Sequence, residues 1–133
     1  MGPENGLGSG LVGDLAEPIA VDAFFDLVKE KFGVHLIRHT AHLGNSIRRV
    51  AVCGGSGFFL LEDAVKSGAD IFLTSDIKYH EFFDADGRII LADIGHFESE
   101  QHTIQLLVDH IRQKFTTFAT QLTGVRTNPV HYY

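Results

Sequence analysis

Two histidine–carboxylate pairs in this sequence have spacings that suit joint binding of one ligand. His96 and Glu100 are four residues apart, as are Asp76 and His80. Side chains at i and i+4 lie on the same face of an α-helix, so each pair could act together. Imidazole nitrogens and carboxylate oxygens are ligands of zinc, manganese and ferrous iron. His96 and Glu100 are therefore candidate metal ligands, provided that a helix begins near His96.

The surroundings of His96 leave a second interpretation open. Asp93 lies just before His96, at the expected end of a strand, and could orient the imidazole without binding the metal itself. Alternatively, Glu100 is an ordinary acidic residue near a helix start, where it complements the helix dipole beside a partly exposed histidine. The spacing alone does not separate these two interpretations.

A second polar group, Thr74, Asp76 and His80, follows another apolar run. A metal-binding or acid–base role requires that this loop faces His96, and His80 is then the candidate acid–base residue. The alternative is structural: Asp76 caps a helix that begins at Ile77, and His80 is solvated. Both interpretations remain open.

The residues Gly54, Gly55, Ser56 and Gly57 connect a predicted strand to a predicted helix. Backbone N–H groups in such a turn could bind an anion or a phosphate. The turn matches neither the dinucleotide-binding GxGxxG pattern nor the phosphate-binding loop with its lysine. The alternative is a tight turn in which Ser56 caps the helix, and the sequence favours neither.

Short apolar runs alternate with helical patterns along the chain, which is typical of α/β folds. We therefore predict an α/β fold with a mostly parallel or mixed sheet flanked by helices. The predicted strands lie at 34–40, 50–53, 69–73, 88–92 and near Val125. Predicted helices begin near Pro18, Phe58 and Ile77, and a last long helix runs from near His96 to Phe115. Ligands of such sheets bind beyond the carboxyl ends of the strands, which is where the polar groups described above are located.

The composition limits the classes of function. The 133 residues carry 17 acidic and 11 basic side chains, a formal charge of −6. The chain therefore lacks the net positive charge that is typical of proteins that bind nucleic acid or an anionic membrane. No apolar run has the roughly 18 residues of a membrane helix, and the single cysteine excludes a disulfide framework. We expect no nucleic-acid partner, no membrane partner and a cytoplasmic location. Residues 1–17 are predicted to be a Gly-rich seam or linker, and 18–133 a single α/β domain.

The order of the motifs resembles that of one protein family. The matching segments are Arg49–Gly57, Gly68–Asp70, Thr74–His80 and Asp93–Glu100, and the opening Gly6-Leu7-Gly8 with Gly13, Leu15 and Pro18 also matches. They resemble the dinuclear-metal hexameric family named after the yeast NGG-interacting factor, whose members are often labelled GTP cyclohydrolase 1 type 2 homologues. The resemblance covers nearly the whole chain, and its opening matches the point where the second half of the family fold begins.

The resemblance implies a two-lobed α/β protein that assembles into a toroidal homohexamer, with two divalent ions (zinc, iron or manganese) between the lobes. His96 and Glu100 match its C-terminal metal ligands, and Thr74, Asp76 and His80 match a motif near that site. The family's other ligands, an adjacent pair of histidines and a carboxylate, belong to the first lobe and have no match here. This chain therefore resembles the C-terminal lobe, with the missing N-terminal lobe and further copies of itself as expected partners. Alone, it is expected to bind metal weakly or not at all and to be inactive.

Three functions follow as expectations. The first is metal-dependent hydrolysis of a cyclohydrolase-like or phosphoester substrate, in which two ions generate hydroxide and polarise the reacting group. The second is a non-enzymatic metal-binding scaffold or regulatory interaction protein. The third is an anion-binding Rossmann-like module that uses Gly54–Gly57. Turnover by the two-lobed protein separates the first two, whereas anion binding that survives a chelator and the loss of His96 favours the third.

Overall fold

A computed structural model describes residues 8–117 and 119–133 and shows one β-sheet with helices on its faces. The strands are β1 Leu11–Ile19, β2 Arg38–His39, β3 Ile47–Ser56, β4 Ile71–Ser75 and β5 Ile90–Asp93. The helices are α1 Val21–Phe32, α2 Leu61–Lys66, α3 His96–Glu100 and α4 Thr103–Lys114, with 3₁₀ segments at Phe58–Leu60 and Tyr79–Ala85. The predicted α/β fold is confirmed.

The five strands form a mixed sheet in the order β1-β3-β4-β5-β2. β3, β4 and β5 are parallel neighbours in the centre, whereas β1 and β2 pair antiparallel at the two edges. The parallel arrangement brings the carboxyl ends of the three central strands to the same edge of the sheet. In register, Ser56 pairs with Ser75 and Thr74 pairs with Asp93, so the polar residues that end these strands are neighbours.

The two faces of the central strands bury separate apolar clusters. Successive side chains of a strand point to opposite faces, so Ile71 and Leu73 belong to the cluster that contains α1, and Phe72 belongs to the cluster that contains α2. Every residue of β4 and β5 is buried. Burial on both faces explains why these strands have nearly continuous apolar sequences rather than alternating ones.

α1 packs its apolar stripe on one face of the sheet. Phe24 and Val28 are buried there, at the helical spacing seen in the sequence. Gly33 ends the helix at φ 66°, a left-handed conformation that glycine adopts without a steric penalty. The helix begins at Val21 rather than near Pro18, because Pro18 belongs to β1.

The structure differs from the predicted Gly-rich linker over residues 1–17. Residues 11–17 lie in β1, where residues 11–14 pair with β3, while residues 1–7 lie outside the described part of the chain. An edge strand tolerates glycine and Pro18, because its outer side needs no partner for its N–H groups. Pairing with a distant strand therefore orders this segment, and composition does not reveal that partner.

The predicted last helix is divided in two. α3 ends at Glu100, residues 101–102 form a turn, and α4 begins at Thr103. In the turn, Gln101 donates a side-chain hydrogen bond of 2.6 Å to the carbonyl of Phe32 at the end of α1. Helical periodicity does not show this contact between distant segments. None of the helices in the described residues is long and apolar enough to cross a membrane.

Two predicted strands are shortened or missing. The strand predicted at 34–40 is reduced to Arg38–His39, which pairs with β5. Over 119–133 the structure describes no strand, so the prediction near Val125 is wrong. A β-strand needs a neighbour that receives its backbone hydrogen bonds, and apolar residues alone do not provide one.

Candidate metal centre

The turns after β3 and β4 and the start of α3 are joined by hydrogen bonds. Thr74, which is fully buried, donates to the carbonyl oxygen of Gly55 at 3.0 Å. The N–H of Gly55 donates to Ser99 Oγ of α3 at 2.9 Å. Ser56 donates to the Asp76 carboxylate at 2.6 Å. The polar groups that the sequence places at separate strand ends therefore meet in one site.

His96 and Glu100 form the centre of this site. They are the first and last residues of α3, and His96 Nε2 lies 3.2 Å from Glu100 Oε2. Both side chains are about half exposed, so a ligand can reach them. Two ligand atoms bound to one tetrahedral zinc at about 2.1 Å lie about 3.4 Å apart, and the observed separation suits shared coordination. The predicted placement of the two residues on one helix face is confirmed.

Asp76 holds the other ring nitrogen of His96. Its carboxylate contacts His96 Nδ1 and also accepts the hydrogen bond from Ser56. The backbone of Asp76 is left-handed, at φ 57°. The 3₁₀ segment that follows begins at Tyr79, and its N-cap residue is Lys78. The interpretation of Asp76 as a helix cap is therefore wrong, because its carboxylate is engaged with α3.

The electrostatics of this contact favour the charged forms of both groups. The hydrogen bond with His96, and then the one from Ser56, lowers the pKa of the Asp76 carboxyl below its ordinary value. The hydrogen bond with Asp76 and the nearby charges of Asp76 and Glu100 raise the pKa of His96. The same acidic surroundings would attract a metal cation.

Asp93 has a different set of partners from the one predicted. Its buried carboxylate accepts hydrogen bonds from Arg38 Nη2 at 2.5 Å, the Ile77 N–H at 3.1 Å and the Gly95 N–H at 3.0 Å. These bonds connect the end of β5 to β2, to the segment after β4 and to the start of α3. The orienting contact with His96 that we expected of Asp93 is made by Asp76 instead.

Gly55 allows the backbone after β3 to pass close to the candidate ligands. Its φ is 69°, which favours glycine. A Cβ at this position would lie 2.5 Å from Glu100 Oε1 and 3.4 Å from His96 Cε1. A side chain here would therefore displace the Glu100 carboxylate from its position beside the imidazole.

The rest of the Gly54–Gly57 turn does not match the predicted cap. Gly57 occupies the N-cap position of the following 3₁₀ segment, and the Ser56 hydroxyl donates to Asp76. The interpretation of Ser56 as a helix cap is therefore wrong. The Gly55 N–H is engaged with Ser99, and anion binding by the turn stays a prediction.

The structure does not bring His80 to the other candidate residues. His80 is exposed, and its ring contacts that of Tyr79 at a centroid distance of 5.3 Å. It does not line the cleft beside His96 and Glu100. An acid–base role for His80 stays a prediction.

A cleft of about 560 Å³ opens beside the two candidate ligands. Its polar lining includes Arg38, Asp76, Asp93, His96 and Glu100, and its apolar lining includes Leu36, Phe97, Ile104 and Val130. Such a volume is in the range of small-molecule sites, about 300–1,000 Å³. The cleft therefore has the size and the mixed lining of a binding site for a small organic molecule.

Sequence reasoning missed two contributors to this cleft. Arg38 reaches it because β2 pairs with β5, and no motif marks that pairing. The C-terminal segment also lines it through Tyr132, whose hydroxyl contacts the buried Glu98. Burial, followed by the charge of Glu98, raises the pKa of Tyr132. The contact brings the C-terminal segment to the cleft, and no motif of the sequence marks that segment as part of the site.

The candidate ligands of this chain number two. Within residues 8–117 and 119–133, no group of three or more His, Cys, Asp or Glu side chains is arranged to hold a metal ion. A catalytic zinc typically keeps three protein ligands. A metal centre at His96 and Glu100 would therefore need further donors from outside the described residues.

Curated relatives are similar over most of this chain. A GTP cyclohydrolase 1 type 2 homolog of Staphylococcus epidermidis is 29% identical over 136 residues, which cover 99% of this chain and 37% of the relative. A protein of the same description from Campylobacter jejuni is 37% identical over 95 residues, which cover 71% of this chain and 38% of the relative. The chain therefore spans less than two fifths of the length of these relatives.

Solved structures share the fold and are likewise longer. A Staphylococcus aureus protein superposes with a TM-score of 0.81 at 27% identity, covering 95% of this chain and 42% of that chain. A Bacillus cereus protein related to NIF3 superposes with a TM-score of 0.79 at 28% identity, covering 95% of this chain and 36% of that chain. This coverage is the one expected of a single lobe. A family model described as Duf34/NIF3 (NGG1p interacting factor 3) matches residues 3–129. The chain therefore belongs to the Duf34/NIF3 family.

Proposed function

We propose that this chain supplies His96 and Glu100 to a dinuclear metal centre that a second lobe completes, and that the completed centre hydrolyses a small substrate. The observation that carries the proposal is the contact between Asp76 and His96 Nδ1, which leaves Nε2 beside Glu100. Metal-ligating histidines usually donate their other N–H to a carboxylate, which fixes the tautomer and the ring orientation. A surface histidine without a metal role needs no such arrangement.

The donor set fits the metals that the family resemblance implies. One imidazole nitrogen and one carboxylate suit Zn²⁺, Fe²⁺ or Mn²⁺, and Glu100 has a second oxygen with which it could bridge two ions. Gly55 keeps the space beside that second oxygen free of a side chain. Further ligands would come from the second lobe, which fits the greater length of the relatives.

Within the proposed hydrolysis, bound divalent ions would supply hydroxide at neutral pH and polarise a phosphoryl or carbonyl-like group. In the metal-bound form Asp76 would accept the Nδ1 proton of a neutral His96, so that Nε2 could ligate. Ser56 donates to Asp76 and restrains that carboxylate. The cleft beside His96 would bind the substrate against its apolar wall.

Elemental analysis tests the metal assignment. The protein at full natural length and the 133-residue chain are each compared with H96A and E100A variants. H110A is the matched control, because His110 is an exposed histidine of α4 that does not line the cleft. We expect metal in the full-length protein, loss in H96A and E100A, retention in H110A, and little metal in the 133-residue chain. Metal content that is unchanged in both H96A and E100A would overturn the assignment.

Turnover assays separate hydrolysis from the non-enzymatic alternative. The metal-loaded full-length protein is assayed against phosphoesters and against purine nucleotides whose ring can be opened. Hydrolysis that disappears in E100A supports the proposal. Metal binding without turnover would instead favour a metal-binding scaffold or a regulatory interaction protein. The N-terminal lobe as partner, the homohexamer and the cytoplasmic location stay predictions.

A further inference from the structure

Arg38 places a cationic side chain in the same cleft as the candidate metal ligands. It lies on the edge strand β2, opposite Asp93 of β5, and its side chain is 53% exposed. Arg38 lines the cleft together with Asp76, His96 and Glu100. A positive charge at this place is unusual, because the other charged groups of the lining are mostly carboxylates.

The guanidinium of Arg38 is held in a fixed position. Nη2 donates to the carbonyl oxygen of Ile77 at 3.0 Å and to Asp93 Oδ2 at 2.5 Å. The guanidinium carbon lies 5.3 Å from the centroid of the Phe82 ring, which packs against the group. A donor that is already ordered loses little conformational entropy when it binds a ligand.

Part of the donor capacity of Arg38 remains available to a ligand. A guanidinium has five N–H bonds, and the two on Nη2 account for the hydrogen bonds to Ile77 and Asp93. Among the described residues, Nε and Nη1 have no hydrogen-bond acceptor. Since the side chain is about half exposed and Arg38 lines the cleft, a bound oxyanion could accept from these groups.

We infer that Arg38 binds an anionic group, a phosphate or a carboxylate, of the small molecule that occupies this cleft. The inference rests on the proposed function, because the opposite end of that molecule would lie at His96 and Glu100. It adds a substrate class to that function: a small anionic compound rather than a neutral one. The apolar lining of Leu36 and Phe97 suits the organic part of such a molecule.

The charges in the cleft make anion binding dependent on metal. Asp93 already compensates the charge of Arg38, and Asp76, Glu98 and Glu100 add negative charge nearby. These carboxylates repel an oxyanion as long as no cation neutralises them. Divalent ions at His96 and Glu100 would reverse that balance, so metal and anion should strengthen each other's binding.

Calorimetric titration of the full-length protein tests the inference. Inorganic phosphate and acetate are the probes, each with Mn²⁺-loaded and metal-free protein. The variants are R38Q and R38K, where R38K keeps a positive charge beside the buried Asp93 and so protects the fold. R88Q is the control, because Arg88 pairs with Glu62 on another surface. Metal content is measured for every sample.

We expect phosphate to bind the Mn²⁺-loaded protein. Its affinity for Mn²⁺-loaded R38Q should be at least about tenfold lower, since a charge-assisted hydrogen bond is lost. R38K should be intermediate and R88Q unchanged, with the same metal content throughout. A preference for acetate would identify the anionic group as a carboxylate. Phosphate and acetate affinities in R38Q and R38K that stay within twofold of the parent would overturn the inference while leaving the metal centre intact. Absence of metal from the parent would overturn both.

Discussion

One aspartate lies just beyond the end of β4 and another at the end of β5, and their carboxylates bind different kinds of partner. Asp93 at the end of β5 is buried and binds the backbone and Arg38, so it holds segments of the fold together. Asp76, just beyond β4, is about half exposed and binds His96 and Ser56. From the sequence, Asp93 is the residue expected to orient His96, whereas for Asp76 a helix cap and a role beside His96 are both left open.

The difference arises from the neighbours of each strand end. β2 pairs with the end of β5 and places Arg38 opposite Asp93. The Asp93 carboxylate accepts a hydrogen bond from Arg38 and is thereby occupied. The residue after β4 turns in a left-handed conformation and faces α3. Distance in sequence from His96 is therefore a poor guide to which carboxylate supports it: the residue twenty positions away does so, and the residue three positions away does not.

The largest expected effect is on stability, from substitution of Asp93. D93A should lower the free energy of unfolding by about 2–4 kcal/mol, because buried N–H donors lose their acceptor. D93N keeps one carbonyl oxygen and should lose roughly half as much. Urea unfolding followed by circular dichroism measures both. If D93A unfolds within about 0.5 kcal/mol of the parent, Asp93 does not hold the strand ends together.

The second effect is on metal affinity, from substitution of Asp76. D76N should weaken Mn²⁺ binding to the full-length protein about 10–100-fold, because His96 loses the carboxylate that orients it. D86N is a matched control, since Asp86 is also left-handed, at φ 48°, and does not line the cleft. Asparagine tolerates that conformation, so both variants should fold. Equal Mn²⁺ affinities of the two variants would contradict the role of Asp76.

A third, smaller effect concerns the close approach of Gly55 to Glu100. G55A and G44A should each lose about 1–2 kcal/mol of unfolding free energy, because both glycines have positive φ. Among the described residues beyond its chain neighbours, no atom lies within 4 Å of a Cβ at Gly44, whereas a Cβ at Gly55 meets Glu100. G55A alone should therefore reduce Mn²⁺ affinity. If G44A reduces it as much, the effect reflects general destabilisation.

The smallest effect is the pH response of Asp14 on β1, an exposed aspartate that contrasts with the two others. Arg49 donates to it at 2.8 Å and 3.0 Å, and these hydrogen bonds lower the pKa of the Asp14 carboxyl. The stabilisation from this pair is therefore present above the ordinary aspartate pKa and is lost as the pH falls through the lower folded-state pKa. An NMR titration should show that the pKa of Asp14 lies below the ordinary aspartate value in the parent and rises back towards that value in R49Q. An unchanged pKa in R49Q would show that the ion pair has no influence.

Several features could be predicted because they depend on residues close together in the chain. The buried strands β4 and β5 are visible as apolar runs, and the spacing of His96 and Glu100 predicts that they share a helix face. The motifs also carry the family membership. β1 could not be predicted in this way, because Gly13, Pro18 and the glycines that precede the strand are typical of a linker, and only pairing with β3 makes the segment a strand.

The sequence by itself determined the α/β class, the family and the pair of candidate ligands, since each is encoded in local spacing or in the order of motifs. Only the tertiary structure decided which carboxylate supports His96 and that Arg38 enters the cleft. Both depend on strand order: Asp76 meets His96 across 20 residues, and Arg38 meets Asp93 across 55. Contacts over such separations follow from how the sheet is assembled, which no local pattern of residues specifies.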